Sequence, residues 1–469
     1  MNTAITDLSA VDMSKLIRAR QLSAAEVLEA HLAKIDRVNP VVNAIVTLDI
    51  DGARTSAAAA DEHAAAGGPL GRLHGLPIAF KDTHRTAGMR TTFGSKLFQD
   101  NVPNTNDEVV RRIVAAGAVR IGKTNVPEMA AGSHTFNSVF GVTRNPYGAG
   151  RSAGGSSGGA AAALAARMQP IADGSDMGGS LRNPASFCNV VGLRPTPGVV
   201  PAPEAANGFS PLAVAGPMGR TIDDVALLLS VLSGPHRYAP LRAGDVPVGG
   251  NSDTVPLETL RIAWAPTLGD RVPVDPEVSA VLNSFVTSLS GHSPYLELAC
   301  PNLDGADDAF RVLRAAEFDH EWGDLLAENV DMFKADLAWN IRQGLNTSGR
   351  EVVRAQAEVT RLHRCAADFF DKYDVLLAPV SPVAPFNAEL AFPPEVDGIR
   401  QDDYLEWMRA SYLFTPLGVP ALSLPAGFTD VGLPVGIQVI TAARTEHKLL
   451  QIARALEAAF PFSQHLPVL

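Results

Sequence analysis

Residues 152–166 read SAGGSSGGAAAALAA: glycine pairs on either side of two serines, then an alanine-rich run with Leu164 that predicts a helix up to about Met168. Glycines that run into a helix start leave backbone N–H groups exposed at a positive dipole end, which suits an anionic or partly anionic group. A Gly/Ser linker does not normally lead straight into a strong helix. A phosphate loop would need G-K-[ST] next, and it is absent. Residues 154–158 also satisfy G-x-S-x-G, which would make Ser156 the nucleophile of a hydrolase elbow. That elbow requires an acid and a histidine downstream, and His320, His363 and His447 sit in no motif that singles one out.

A second serine lies just downstream. Residues 174–182 read GSDMGGSLR, where paired glycines let the backbone approach a ligand and leave N–H groups free to converge on a developing oxyanion beside Ser180. A serine hydroxyl needs a base, and a lysine serves where burial or positive potential lowers its pKa. Lys81 fits: it ends LPIAFKD, residues 76–82, an apolar run that predicts a buried strand.

The flanking sequence predicts alternating helices and strands. Ser23 and Glu26 form a capping box for a helix that Asn39 and Pro40 end. A second helix over 107–116 leads through Gly117 into a strand at 119–121, and Thr221 caps a third that ends at Gly234. Asp275 and Pro276 open another as N-cap and first helical residue. The stretch 310–373 reads as helical, and 374–379 and 422–425 as short buried strands. Helix followed by strand implies α/β packing. The Pro, Gly and Asp-rich stretch 237–254 reads as a loop or linker, and no internal repeat is present.

The 469 residues include 46% hydrophobic and 19% charged positions, enough to bury a large core. A formal charge of −11 repels a phosphate backbone or an anionic membrane surface, so no nucleic-acid or membrane partner is expected. Cys188, Cys300 and Cys365 give neither a disulfide framework nor zinc-ligand spacing, which fits a reducing cytoplasm. The N-terminus lacks an export pattern.

These pieces together resemble the amidase signature family. The resemblance rests on HGLPIAFKD (74–82), GKTNVPE (122–128), SAGGSSGGAAAALAA (152–166) and GSDMGGSLRNPA (174–185), with weaker matches at VGLRPT (191–196) and GLPVGIQVI (432–440). It implies one amidase domain over 1–469, an α/β/α sandwich around a large mixed twisted β-sheet, with a signature core at about 73–221 and a variable substrate-pocket region at about 300–420. It also implies a Ser-cisSer-Lys triad: Ser180 nucleophile, Ser156 bridge after a cis peptide from Gly155, and Lys81 base. The 24-residue spacing between the serines favours Ser156 over Ser157 as the bridge. Backbone N–H groups of Met177, Gly178, Gly179 and Ser180 would form the oxyanion hole, with Ser157, Asp176 and Arg182 in support and Met129, Ala130 and Gly132 against the substrate. No metal or organic cofactor is implied.

Two positions depart from the family pattern. Met177 stands where threonine is common, and Thr415 with Pro416 where many relatives carry Asn before a small residue.

The expected activity is hydrolysis of a small aryl or alkyl carboxamide, with anilides, carbamates and esters as extensions, in a roomy apolar pocket. Phe333, Trp339, Trp407, Tyr412 and Phe414 are candidates for its lining or for the core. The alternatives are the glutaminase component of a tRNA-dependent amidotransferase and a non-catalytic binding protein. Nothing in the sequence distinguishes a monomer from a homodimer.

Overall fold

The computed structural model describes residues 4–242 and 254–469. Most of the expected linker, residues 243–253, lies outside the described residues.

Three strands form a first sheet: β1 (Ile45–Leu48), β2 (Pro77–Lys81) and β3 (Val119–Thr124), in the order β1-β3-β2. Eight form the main sheet: β4 (Ile171–Asp176), β5 (Val191–Arg194), β6 (Val214–Gly219), β7 (Ile262–Trp264), β8 (Leu296–Leu298), β9 (Val375–Pro379), β10 (Ala421–Phe428) and β11 (Pro434–Ile440). Their order is β8-β7-β9-β11-β10-β5-β6-β4. The β7 strand runs parallel to β8 and β9, and the remaining pairs are antiparallel, so the sheet is mixed. It takes strands from both sides of residues 243–253. Strands such as β9 and β11 are buried at every position, which is why they read as short continuous apolar runs.

The first sheet stays separate from the main one for a chemical reason. Where β2 faces β4, the Ala79 N–H donates to Gln169 Oε1 at 2.8 Å and the Lys81 N–H to the Asp173 carboxylate at 3.3 Å. Side chains take the place of the backbone carbonyls that would have continued the ladder.

Helices cover the sheet in an α/β/α sandwich. The helix Gly158–Ala165 is buried along all eight residues, and its alanines bring it close to β2, β3 and β4. A Cβ on Gly159 would stand 2.3 Å from the Asn125 nitrogen and 2.8 Å from the Ala44 carbonyl oxygen, so only glycine permits the approach. The Arg182–Phe187 helix packs on β10 and β11.

The predicted helix starts are found: Ser23 and Glu26 make the capping box, Thr221 caps Ile222–Leu232, and Pro276 opens Pro276–Ser290. The first helix, however, runs through Pro40 to Val42. Its end is set by Asn43, at φ 53°, whose N–H bonds the Asn39 carbonyl, while the Asn39 side chain accepts from Ala44 and Ile45. The region 310–373 divides into Ala306–Glu328, Ala335–Leu345 and Gly349–Phe370.

Candidate active site

The C-terminal ends of β2 and β4 meet at Lys81 and Asp176. Lys81 is fully buried, and its Nζ lies 2.8 Å from Ser156 Oγ, 3.0 Å from Ser157 Oγ and 2.8 Å from Ser175 Oγ. The amine is thus surrounded by hydroxyls. Burial pushes the Lys81 ammonium down to about 7, against the pull of the Asp173 and Asp176 carboxylates. A neutral amine held among three hydroxyls can accept a proton from one of them.

The structure brings Lys81 and Ser156 into contact, and the peptide between Gly155 and Ser156 is cis. Ser157, expected in a supporting role, touches Lys81 directly and also accepts from the Ser175 N–H at 3.4 Å. Ser180 lines the same cavity as Ser156 and Ser175, and its carbonyl accepts from the Ser157 N–H at 3.2 Å. Among the described residues, Ser180 Oγ has no hydrogen-bond partner.

The loop before Ser180 is held peptide by peptide. Among the described residues, no acceptor takes up the N–H groups of Met177, Gly178 or Ser180. Each of these belongs to a peptide whose carbonyl is fixed on the other side: Asp176 by Arg194 Nη1, Met177 by the Thr415 hydroxyl at 2.7 Å, and Gly179 by the Asn183 N–H at 2.7 Å. Because a planar trans peptide sets its C=O and N–H on opposite sides, anchoring the carbonyls aims the N–H groups. The Gly179 N–H differs from the expected set: it donates to Asp176 Oδ1 at 2.9 Å. Gly179 itself has φ 109°, and a Cβ there would meet Ser411 Cβ at 2.6 Å.

Asp176 and Arg182 form a completely buried bidentate pair, Nε to Oδ2 at 3.0 Å and Nη2 to Oδ1 at 2.9 Å. Burial alone would raise the Asp176 carboxyl, but the Arg182 and Arg194 guanidiniums hold it well below the usual carboxylate range. Arg182 also reaches Gln438 on β11 and the Ser411 carbonyl, which ties the loop to the main sheet.

The reaction cavity encloses about 230 Å³. Met129, Ala130 and Gly132 line it, as expected. Met129 and Ala130 adopt left-handed backbone conformations, φ 47° and 56°, fixed by the Met129 N–H to the Phe93 carbonyl at 2.7 Å and by Lys334 Nζ on the Ala131 carbonyl. Met177 and Met408 form part of its wall. Its aromatic lining is Phe93, Phe318 and Trp322. None of Phe333, Trp339, Trp407, Tyr412 and Phe414 lines it. Tyr412 stacks on Phe310 at 4.3 Å, and Trp407 packs on Phe187 and Phe386 inside the core. A second space of about 410 Å³ adjoins the first and shares Thr83, His84, Phe93, Met177, Ala213, Glu321 and Trp322 with it.

Several site residues were not singled out from sequence: Asp173, Ser175, His84, Arg194 and Arg314. Strand alternation was the available signal for two of them, since Asp173 and Ser175 lie two apart on β4 and so share the face turned to Lys81. Of the histidines weighed for a hydrolase elbow, His363 bonds the Leu417 carbonyl at 2.9 Å and His320 lines the outer space. The histidine in the reaction-cavity wall is His84.

Among the described residues no helix is long and apolar enough to cross a membrane.

Comparison with known proteins agrees with this architecture. A family model, Amidase, matches residues 26–450. An acylamidase of Rhodococcus erythropolis is 36% identical, over 98% of this chain and 97% of its own length. A glutamyl-tRNA(Gln) amidotransferase subunit of Synechococcus sp. (strain CC9605) is 34% identical over 94% of both chains. Among solved structures, a bacterial aryl acylamidase superposes with TM-score 0.91 at 28% identity over 97% of both chains. A 6-aminohexanoate cyclic dimer hydrolase superposes at 0.85 with 26% identity over 99% of both. The chain therefore belongs to the amidase signature family and is a hydrolase of amide C–N bonds.

Proposed function

We propose that the chain hydrolyses small aryl or alkyl carboxamides through an acyl-enzyme on Ser180, with Ser156 as the bridge and Lys81 as the base. Neutral Lys81 draws the Ser156 proton while Ser156 takes that of Ser180, and Ser180 Oγ attacks the amide carbonyl. The N–H groups of Met177, Gly178 and Ser180 stabilise the oxyanion, each by a few kcal/mol in comparable enzymes. Collapse breaks the C–N bond, the amine leaves with a proton, and water then cleaves the acyl-enzyme to release the acid.

The 2.8 Å contact of Lys81 Nζ with Ser156 Oγ, in the wall of a cavity that Ser180 also lines, carries this reading. Phe93, Phe318 and Trp322 support an apolar or aryl substrate, and the acylamidase relatives support the same class. Anilides, carbamates and esters present a similar carbonyl to the same N–H groups. The chemistry needs no metal ion or organic cofactor. We read the chain as one catalytic domain, supported by a sheet built from both sides of residues 243–253. Three free cysteines support a reducing, cytoplasmic location.

The test is a panel of amides, anilides, esters and carbamates with the isolated wild-type chain and with Ser180→Ala, alongside fluorophosphonate labelling read by mass spectrometry. Turnover by the wild type, none by the variant and an adduct on Ser180 are expected. Near-normal turnover by Ser180→Ala sinks the assignment, and turnover that requires an added amidotransferase partner would point to ammonia transfer instead.

A further inference from the structure

His84 and Asp173 form a pair that the triad chemistry leaves unused. Asp173 is fully buried, and His84 Nδ1 lies 2.5 Å from its Oδ2. A carboxylate only accepts, so Nδ1 carries the hydrogen and the ring is locked with Nε2 pointing away from Asp173. The His84 side chain is 12% exposed and lines both the reaction cavity and the outer space. Among the described residues, no protein atom takes up Nε2. The backbone at His84 is held as well: its N–H reaches the Lys81 carbonyl at 2.9 Å, and its own carbonyl accepts from Lys123 Nζ. A rigid imidazole, oriented by a buried carboxylate and open to the substrate on its other nitrogen, is the arrangement of an acid–base group.

Resting on the Ser180 acyl-enzyme reading, we propose that His84 is a second acid–base residue of the reaction cavity, acting on the nitrogen of the leaving amine. His84 stands between the reaction cavity and the outer space, the direction in which a departing amine has room.

The proton inventory then closes over two relays. In acylation, the Ser180 hydroxyl proton passes through Ser156 to Lys81, and Ser180 Oγ bonds to the carbonyl carbon. The C–N bond breaks with its electron pair on nitrogen, and imidazolium Nε2–H supplies the proton that nitrogen takes. Lys81 is now charged and His84 neutral. In deacylation, water gives its proton to His84 Nε2 as its oxygen attacks the ester, and Ser180 recovers a proton from Lys81 through Ser156. The groups facing this pair are Lys81 on β2, Lys123 on β3, Arg85 with its partner Asp107, and Glu204 and Glu321 across the outer space.

The consequence is selective. An anilide needs its nitrogen protonated to leave, whereas the p-nitrophenolate of an activated ester departs as the anion. Pre-steady-state acylation of wild type and His84→Gln is measured on a series of substituted anilides and on the matching p-nitrophenyl ester, with fluorophosphonate labelling of Ser180 to verify that each protein is folded. The anilide-to-ester ratio of acylation rates is expected to fall by at least about tenfold in His84→Gln, with a steeper dependence on aniline basicity. An equal loss on anilide and ester, or no loss, overturns the proposal. A wild type that forms no Ser180 adduct overturns the acyl-enzyme reading beneath it and is told apart by that labelling.

Discussion

Thr415 donates its hydroxyl to the Met177 carbonyl at 2.7 Å, across 238 positions of sequence. That carbonyl shares a peptide plane with the Gly178 N–H, so a residue just before β10 sets the direction of that N–H. Threonine at this point, where the family pattern commonly has Asn, therefore fixes the Met177–Gly178 peptide of the proposed oxyanion loop. The Met177 thioether meets Arg314 Nη1 at 3.0 Å.

Replacing Thr415 with the isosteric Val should free the Met177 peptide without leaving a cavity. The buried carbonyl loses a donor, so we expect stability to fall by about 1 kcal/mol in urea unfolding. The larger effect falls on catalysis, a loss of roughly 10- to 100-fold in kcat with KM moved far less, because a misaimed donor weakens the transition state more than the ground state. An unchanged kcat would remove Thr415 from the oxyanion loop.

Lys81 gives the pH dependence. Its ammonium is pushed down by burial to about 7. The neutral base prevails above that value and the charged, inactive form below it, so for an activated ester, whose leaving group needs no proton, kcat/KM should rise with pH and level off above the titration. A profile of kcat/KM for such an ester across the neutral range, from mildly acidic to mildly alkaline, measures this. A flat profile, or one whose rising limb lies near the ordinary lysine value, would mean that Lys81 is not the base.

The fold was legible where local rules act alone: capping residues, proline at a helix start, and continuous apolar strands. The first helix ran past Pro40 because Asn39 and Asn43 supply the terminating bonds, a detail that periodicity does not carry. The order of the strands joins segments hundreds of residues apart and has no local signature. In the candidate site, Ser156 and Ser180 stood out in the sequence because glycine-rich motifs surround them, and Lys81 because it ends an apolar run. The contacts of Thr415, Arg194 and His84 did not, since they exist only once the chain has folded. Tyr412 and Trp407 look like pocket aromatics in sequence but are drawn into the core by Phe310 and by Phe187 with Phe386.

Asp176 tests the loop's electrostatics. Its carboxylate takes two bonds from Arg182 and backbone donations from Gly179 and Leu181, all in a fully buried setting. Asn at this position keeps the volume but leaves Arg182 and Arg194 buried without their counter-charge. Removing one partner of a buried pair costs about 3–5 kcal/mol. Asp176→Asn should therefore lower the urea midpoint strongly, and any folded fraction should lose turnover as the loop shifts. A variant as stable as wild type would show that the guanidiniums are neutralised by other groups.

Trp322 stands between the reaction cavity and the outer space, with Phe93 at 6.4 Å and Phe98 at 6.3 Å holding its ring edge-on. Truncation to Ala removes one wall that the two spaces, about 230 and 410 Å³, share and widens the opening between them. Small substrates then lose apolar contact, on the order of 1–3 kcal/mol, and bind less well. Bulky anilides gain room that the wild type denies them. The expected outcome is a crossover: kcat/KM for a small alkyl amide falls by roughly tenfold or more, while the ratio of a naphthyl to a phenyl anilide rises. If Trp322→Ala lowered activity by the same factor for every substrate size, the ring would be a support for the wall and not its divider.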